Sequence, residues 1–267
     1  MIDGKPSGTA RGVAAIRSKL ERPASPSGDP ASELKLYETL IAEINRDVPR
    51  DSRRVHDLGM MMAVRTRFFD QTVVDALANG INQIVILGAG YDGRALRFRT
   101  PGVRFFEVDH PATQADKRAR LAAVNARVDD ITFVAADLTQ PGLADTLARW
   151  GHNPVRPTQW LCEGLLRYLP EAWVRALFDS SAICSAPGSV FAASVATRVP
   201  GSGHDDPARL QREQELAKAG EPVLTVPTPE VALGWLESAG WKVQGTAEMN
   251  TWAPGMRPGR LLVTATR

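Results

Sequence analysis

Short apolar runs and longer stretches of helical period take turns along this chain. The runs at 83–87, 104–108, 131–137, 158–163 and 189–196 are aliphatic, β-branched or aromatic with little polar alternation. Such runs suit central parallel strands covered on both faces. Helical segments follow at 111–127 and 170–186, each opened by a proline, which the first turn of a helix tolerates. This strand–helix–strand succession predicts an α/β fold. Two further helices, 208–219 and 228–240, and two last strands, 241–248 and 260–266, bring the expected strands to seven. Upstream of the first strand, helical pieces are predicted over 10–20, from Ala31 onward with Leu34, Tyr37, Leu40, Ile41 and Ile44 on one face, and over 58–78. The last of these is stopped by Asn79-Gly80. The proline- and serine-rich stretch 21–30 separates the first two as a loop.

The stretch 83–109 carries the chemistry. Its first strand runs into Gly88 and Gly90, which let the backbone turn without a Cβ in the way, and its second ends on Asp109, 21 residues after Gly88. At the carboxyl edge of an open α/β sheet, an acid in that place accepts ribose hydroxyls. Gly88, Gly90 and Gly93 also spell the dinucleotide fingerprint. Asp92 lies inside the turn, however, where its carboxylate would repel a pyrophosphate seated on the helix N-terminus. A ligand with adenosine and no phosphate fits better, and a turn that merely connects strand to helix is the plain alternative. The third strand closes on Asp137 with Leu138 beside it, suited to an adenine amino group, or else to a helix N-cap. Glu163 closes the fourth at the same edge.

Composition narrows the field. With 267 residues, 43% hydrophobic and 23% charged, the chain can build one large α/β domain. Thirty-two basic against 30 acidic residues give a pI near 8.7 without a basic surface, so nucleic acid is not implied. Arg46, Arg50, Arg53 and Arg54 read as a solvated charged face rather than an anion site. Cys162 and Cys184 have apolar flanks and are expected as buried thiols of a reducing compartment. No spacing proposes a metal, no apolar run reaches ~18 residues, and no signal-peptide succession opens the chain. The expectation is a cytoplasmic protein that binds neither membrane nor nucleic acid, monomeric or homodimeric.

Four blocks in order, AVRTRFFD (63–70), ILGAGYDGRALR (86–97), FEVDHP (106–111) and WLCEGLLRYLP (160–170), together resemble the leucine carboxyl methyltransferase family, a set of S-adenosylmethionine-dependent O-methyltransferases. The resemblance covers roughly residues 60 to 170; beyond Thr197 it extends only to layout. It implies a class I methyltransferase fold, Rossmann-like, with a seven-stranded mostly parallel sheet, an antiparallel last strand and helices on both faces. By the same resemblance Arg65 would hold the carboxylate of S-adenosylmethionine, and Gly88, Ala89 and Gly90 would pass its amino-acid portion. Asp109 and His110 would meet the ribose side, Asp137 and Leu138 the adenine, and Glu163 the ammonium. Arg67, two residues from Arg65, points to another helix face and is the weaker arginine. Arg17 stands in only loosely for a basic residue that some members carry near the N-terminus. Gly93 departs from the threonine more usual in the family.

Three acids and one arginine suit a ligand with sulfonium and ammonium charges against one carboxylate. The acceptor is expected to be a small aromatic or acidic molecule, methylated on a carboxylate or a phenol, as in polyketide tailoring. A protein C-terminal carboxylate and a nicotinamide-dependent oxidation are the alternatives. His204, in the loop after the fifth strand, is the candidate base for a phenol, whose reference pKa lies near 10. Tyr168, Arg167 and Arg198 are the candidate acceptor contacts. Residues 1–57 are expected to form a helical cap or lid over a methyltransferase domain spanning 58–267, with a second lid at about 197–227.

Overall fold

The computed structural model describes residues 6–44, 52–253 and 256–267. The charged stretch with Arg46 and Arg50 lies outside them, as do the side chains of Arg53, Arg54 and His56. In chain order the elements are α1 (Gly8–Arg17), α2 (Pro30–Ile44), α3 (Ser52–Ala78), β1 (Gln83–Leu87), α4 (Arg94–Arg97), β2 (Arg104–Asp109), α5 (Pro111–Ala123), β3 (Ile131–Ala135), α6 (Leu143–Arg149) and β4 (Gln159–Cys162). Then come α7 (Glu171–Ile183), β5 (Val190–Ala196), α8 (Pro207–Lys218), α9 (Pro229–Ser238), β6 (Lys242–Glu248) and β7 (Arg260–Thr266).

The seven strands form one sheet in the order β3-β2-β1-β4-β5-β7-β6. β1 pairs in parallel with β2 and β4, and β7 runs antiparallel to both β5 and β6. The chain therefore reverses its winding at β1, and the crevice at such a switch point lies over the carboxyl ends of β1 and β4. All five residues of β1 are buried because both faces are covered: Val85 and Leu87 join one core with Phe106, Trp160 and Phe178. Ile84 and Ile86 join the other with Tyr37, Phe69 and Phe105. That double burial is why the strand shows no alternation in sequence. Cys162 and Cys184 are both buried and free.

Local boundaries shift for identifiable reasons. Ser7 caps α1 by accepting the N–H of Ala10 at 3.1 Å, so the helix starts before Ala10. β3 ends at Ala135, two residues before Asp137. Asp137 is not a helix N-cap: its Oδ1 accepts from the N–H and hydroxyl of Thr139 at 2.8 and 2.7 Å, and the next helix begins at Leu143 behind Gly142. No described helix is long and apolar enough to cross a membrane.

Candidate active site

The turn after β1 passes through Gly88 and Gly90, with φ of 62° and 50°. This left-handed backbone aims the Gly90 N–H at the end of β2, where it donates to Asp109 Oδ2 at 2.5 Å; the His110 N–H donates to Oδ1 at 2.6 Å. A side chain at Gly90 would be strained and would meet Ala10 of α1 at 2.9 Å. Asp109 is thus held by two backbone donors with its carboxylate at the cavity. Burial pushes its carboxyl up, against those two N–H groups. The His110 ring accepts the N–H of Ala112 at 3.4 Å and caps α5.

Asp92 occupies the other side of the turn. Its Oδ1 accepts the N–H of Arg94 at 2.8 Å, so a carboxylate already sits on the end of α4. Its Oδ2 takes Arg94 Nη1 at 2.5 Å and Arg17 Nη1 at 3.2 Å. This is the place a pyrophosphate would need.

From Asp92 a buried ionic network spreads in both directions. Glu163, just beyond β4, receives Arg65 Nε at 2.7 Å, Arg94 Nη1 at 2.6 Å and Arg17 Nη2 at 2.5 Å. Burial alone would raise its pKa, but Arg17, Arg94 and Arg65 hold Glu163 well below the usual carboxylate range. Arg94 also donates Nε to Asp70 at 2.7 Å, and Arg22 bonds Asp70 through Nε and Nη2 at 2.7 and 3.0 Å. Arg22 reaches Glu33 of α2 at 2.6 Å, and Glu33 further accepts from Tyr37 at 2.8 Å and from Arg97. Five guanidinium groups (Arg17, Arg22, Arg65, Arg94, Arg97) meet four carboxylates (Glu33, Asp70, Asp92, Glu163). Among the described residues the assembly therefore carries one cation in excess.

Gly93 belongs to the same network. A Cβ there would lie 2.2 Å from Glu33 Cγ and 2.5 Å from its Oε1, so the bare glycine is what admits the Glu33 carboxylate. Gly93 thus has its partner on α2.

Above the turn lies a cavity of about 570 Å³, within the usual range for small-molecule sites. Of the residues singled out by sequence, Arg65, Gly88, Ala89, Gly90, Asp109, His110, Asp137, Leu138, Glu163 and Tyr168 line it, as does Arg17. Arg167, Arg198, His204 and Arg67 are not among its lining residues. His204 bonds Ser202 Oγ through Nδ1 at 2.5 Å and Arg209 through Nε2 at 3.2 Å; burial and Arg209 lower its pKa.

The roof comes from two distant segments. Ser7, Thr9, Ala10 and Val13 of the N-terminal region face Gly220–Pro222 and Leu224 across the opening. They are joined directly: Ser7 Oγ donates to Glu221 Oε1 at 2.5 Å and Thr9 N–H to Glu221 Oε2 at 3.2 Å. Sequence reasoning missed Glu221, Asp70 and Arg94, and weighed Asp92 only as a bar to pyrophosphate. Asp70 and Arg94 lie inside the blocks already singled out, which was the available signal. For Glu221 there was none.

This sheet order, with an acid at the end of β2 and a glycine turn after β1, defines a class I methyltransferase fold. A crystal structure of a DUF574 family protein from Streptomyces avermitilis superposes with a TM-score of 0.61, 17% identity and full coverage of both chains. The magnesium protoporphyrin IX methyltransferase of Synechocystis, solved with bound S-adenosylhomocysteine, covers 86% of this chain and 94% of its own at a TM-score of 0.54 and 14% identity. The chain belongs to the leucine carboxyl methyltransferase family, whose model matches residues 25–182. A relative from Streptomyces avermitilis, provisionally named an S-adenosyl-L-methionine-dependent methyltransferase, is 34% identical over 89% of this chain and 84% of its own. One from Frankia alni, of the same provisional name, is 36% identical over 72% of this chain and 65% of its own length. Nothing in these likenesses supports the nicotinamide-dependent alternative.

Proposed function

We propose that this protein is an S-adenosylmethionine-dependent O-methyltransferase acting on a carboxylate or phenolic hydroxyl of a small molecule, in natural-product biosynthesis of the polyketide kind. The observation that carries this reading is the convergence of Asp109, Asp137, Glu163 and Arg65 on one cavity over the ends of β1 to β4. The donor set fits the group: two acids stand at the ribose and adenine end. At the other end lies a zwitterion-sized patch in which the guanidinium excess favours a carboxylate and Glu163 favours an ammonium. S-adenosylmethionine, when bound, supplies a methyl group activated on a sulfonium.

The chain's own residues then hold and shield. Asp109, pinned by Gly90 and His110, presents its carboxylate without needing to reorganise. Arg65 is anchored on Glu163, so its remaining guanidinium edge is pre-aimed. Val13, Leu165, Leu169, Trp173 and Leu224 add apolar surface to the wall, which favours exclusion of water and close alignment of reactants. An acceptor carboxylate is ionised at neutral pH and needs no base. His204, tied to Ser202 and Arg209 away from the lining, adds no support for base catalysis, so alignment carries the rate. The roof over the cavity favours a small acceptor over a protein terminus.

Calorimetric titration with S-adenosylhomocysteine and, separately, with NAD tests the reading. S-adenosylhomocysteine should bind and NAD should not; the reverse would reject it. Labelled donor incubated with a panel of aromatic acids and phenols then identifies the acceptor, and methylation solely on nitrogen or carbon acceptors would reject the oxygen assignment.

A further inference from the structure

A buried ion pair next to the glycine turn takes no part in the donor site as built so far. Glu107 stands in the middle of β2, level with Ile86 of β1 and Phe133 of β3, and is 1% exposed. Lys117 on α5 is 2% exposed, and its Nζ donates to Glu107 Oε2 at 2.5 Å. Gln114, three residues earlier and so on the same helix face, donates Nε2 to the Glu107 carbonyl at 3.0 Å. One face of α5 is thereby registered on β2.

As a device for stability the pair is poor. Glu107 Oε1 is buried with no hydrogen-bond partner. A buried pair left under-satisfied gains little over apolar side chains of the same volume, because both charges have given up their water. What the pair adds is a second contact: Lys117 Nζ also donates to the main-chain carbonyl of Asp92 at 2.6 Å. Among the described residues that carbonyl takes no main-chain N–H, so the ammonium is what satisfies it.

Asp92 lines the cavity and Lys117 does not. The Asp92 N–H donates to the Ala89 carbonyl at 2.7 Å, which closes the turn. Its carboxylate takes Arg94 through Oδ1 and Oδ2 and Arg17 through Oδ2. Arg17, also lining, carries its other terminal nitrogen to Glu163, and its Nε is buried without a partner. The place of the Arg17 guanidinium is therefore set by the Asp92 carboxylate, and the place of Asp92 by Lys117 from behind.

We propose that Lys117 is a positioning residue for the amino-acid portion of the donor, acting through the Asp92 carbonyl on Arg17, with Glu107 as its counterion. This rests on the methyltransferase reading and adds to it a residue that touches neither donor nor acceptor. The adenosine portion, held at Asp109 and Asp137, lies outside its reach.

The test titrates two probes calorimetrically into the full chain: S-adenosylhomocysteine, and 5′-methylthioadenosine, which has the adenosine and the sulfur but no amino-acid portion. Lys117→Met should weaken S-adenosylhomocysteine about tenfold, the scale of one charge-assisted hydrogen bond lost, and leave 5′-methylthioadenosine unchanged. The double variant Lys117→Met, Glu107→Met strands no charge, so urea unfolding should show its stability at or above that of the wild type. Its S-adenosylhomocysteine affinity should stay as low as in the single variant. Should the single variant not fold, the double variant carries the comparison. Undiminished S-adenosylhomocysteine affinity in the folded variants overturns the proposal. So does equal weakening of both probes, or recovery of affinity together with stability, since either would make the pair a support of the fold alone. Failure of the wild-type protein to take S-adenosylhomocysteine overturns the donor reading, and the role of Lys117 with it.

Discussion

Replacing Gly93 by alanine tests whether the turn below the cavity is held from α2. Gly93 has φ −100° and ψ 8°, a backbone that alanine adopts without strain. On conformational entropy alone the substitution would stabilise by about 0.4–1 kcal/mol. The new Cβ, however, falls 2.2 Å from Glu33 Cγ. Glu33 is 1% exposed and cannot swing aside into solvent. Expelling it strands Arg22 and Arg97 and frees Tyr37. Loss of one partner from a buried ion pair costs about 3–5 kcal/mol. The lower end applies here, because Arg22 keeps both oxygens of Asp70 and Arg97 keeps the carbonyls of Arg22 and Pro23.

Gly93→Ala should therefore destabilise by about 3 kcal/mol in the wild-type background. After Glu33→Ala has removed the obstructing atoms, the same change should be neutral or stabilising. Urea unfolding of the four proteins gives the cycle directly, and S-adenosylhomocysteine titration of the folded variants reports the turn. Equal effects of Gly93→Ala in the two backgrounds would refute the account of the glycine.

Two other outcomes are expected. Asp109→Asn and Glu163→Gln should each weaken S-adenosylhomocysteine binding by about tenfold or more in calorimetry, the scale of a lost charge-assisted hydrogen bond; near-normal affinity in both would show the donor lies elsewhere. His152, wedged between Phe106 and Trp160 and bonded to Thr158 Oγ1 at 3.0 Å, has its pKa pushed down to about 4 by burial. The unfolded chain binds the proton more readily, so stability is fully present above pH ~6.5 and falls as pH drops toward 4, by up to about 3 kcal/mol. Urea unfolding at pH 7 and pH 4.5 should show a smaller acid loss in His152→Gln than in the wild type, and equal losses would exclude His152 as the cause.

What could be read from sequence follows from what is locally determined. β1 and β2 were legible because a strand buried on both faces must be apolar at every position, and Asp109 because its place at a strand end is set by the strand itself. α6 escaped notice because its seven residues are too few to establish a period. β3 was read two residues too long because Ala136 continues the apolar run up to the acid Asp137, whereas Thr139 folds Asp137 into a turn. The ionic network was beyond reach for a different reason. Glu33 meets Arg97, and Arg17 meets Glu163, only because α1 and α2 pack over the sheet, and no spacing along the chain encodes those meetings. Arg65 and Glu163 were named for opposite ends of a zwitterion, yet they stand 2.7 Å apart, each the other's counterion.

The bond from Ser7 and Thr9 to Glu221 makes one ceiling out of two stretches more than two hundred residues apart. Both halves line the cavity, so under the proposed function acceptor preference is shared between them. Exchanging one half with that of a relative would leave Glu221, or the hydroxyl and amide that hold it, with nothing to grip. If the proposed function holds, fitting the cavity to a different acceptor means recasting the two halves as a pair.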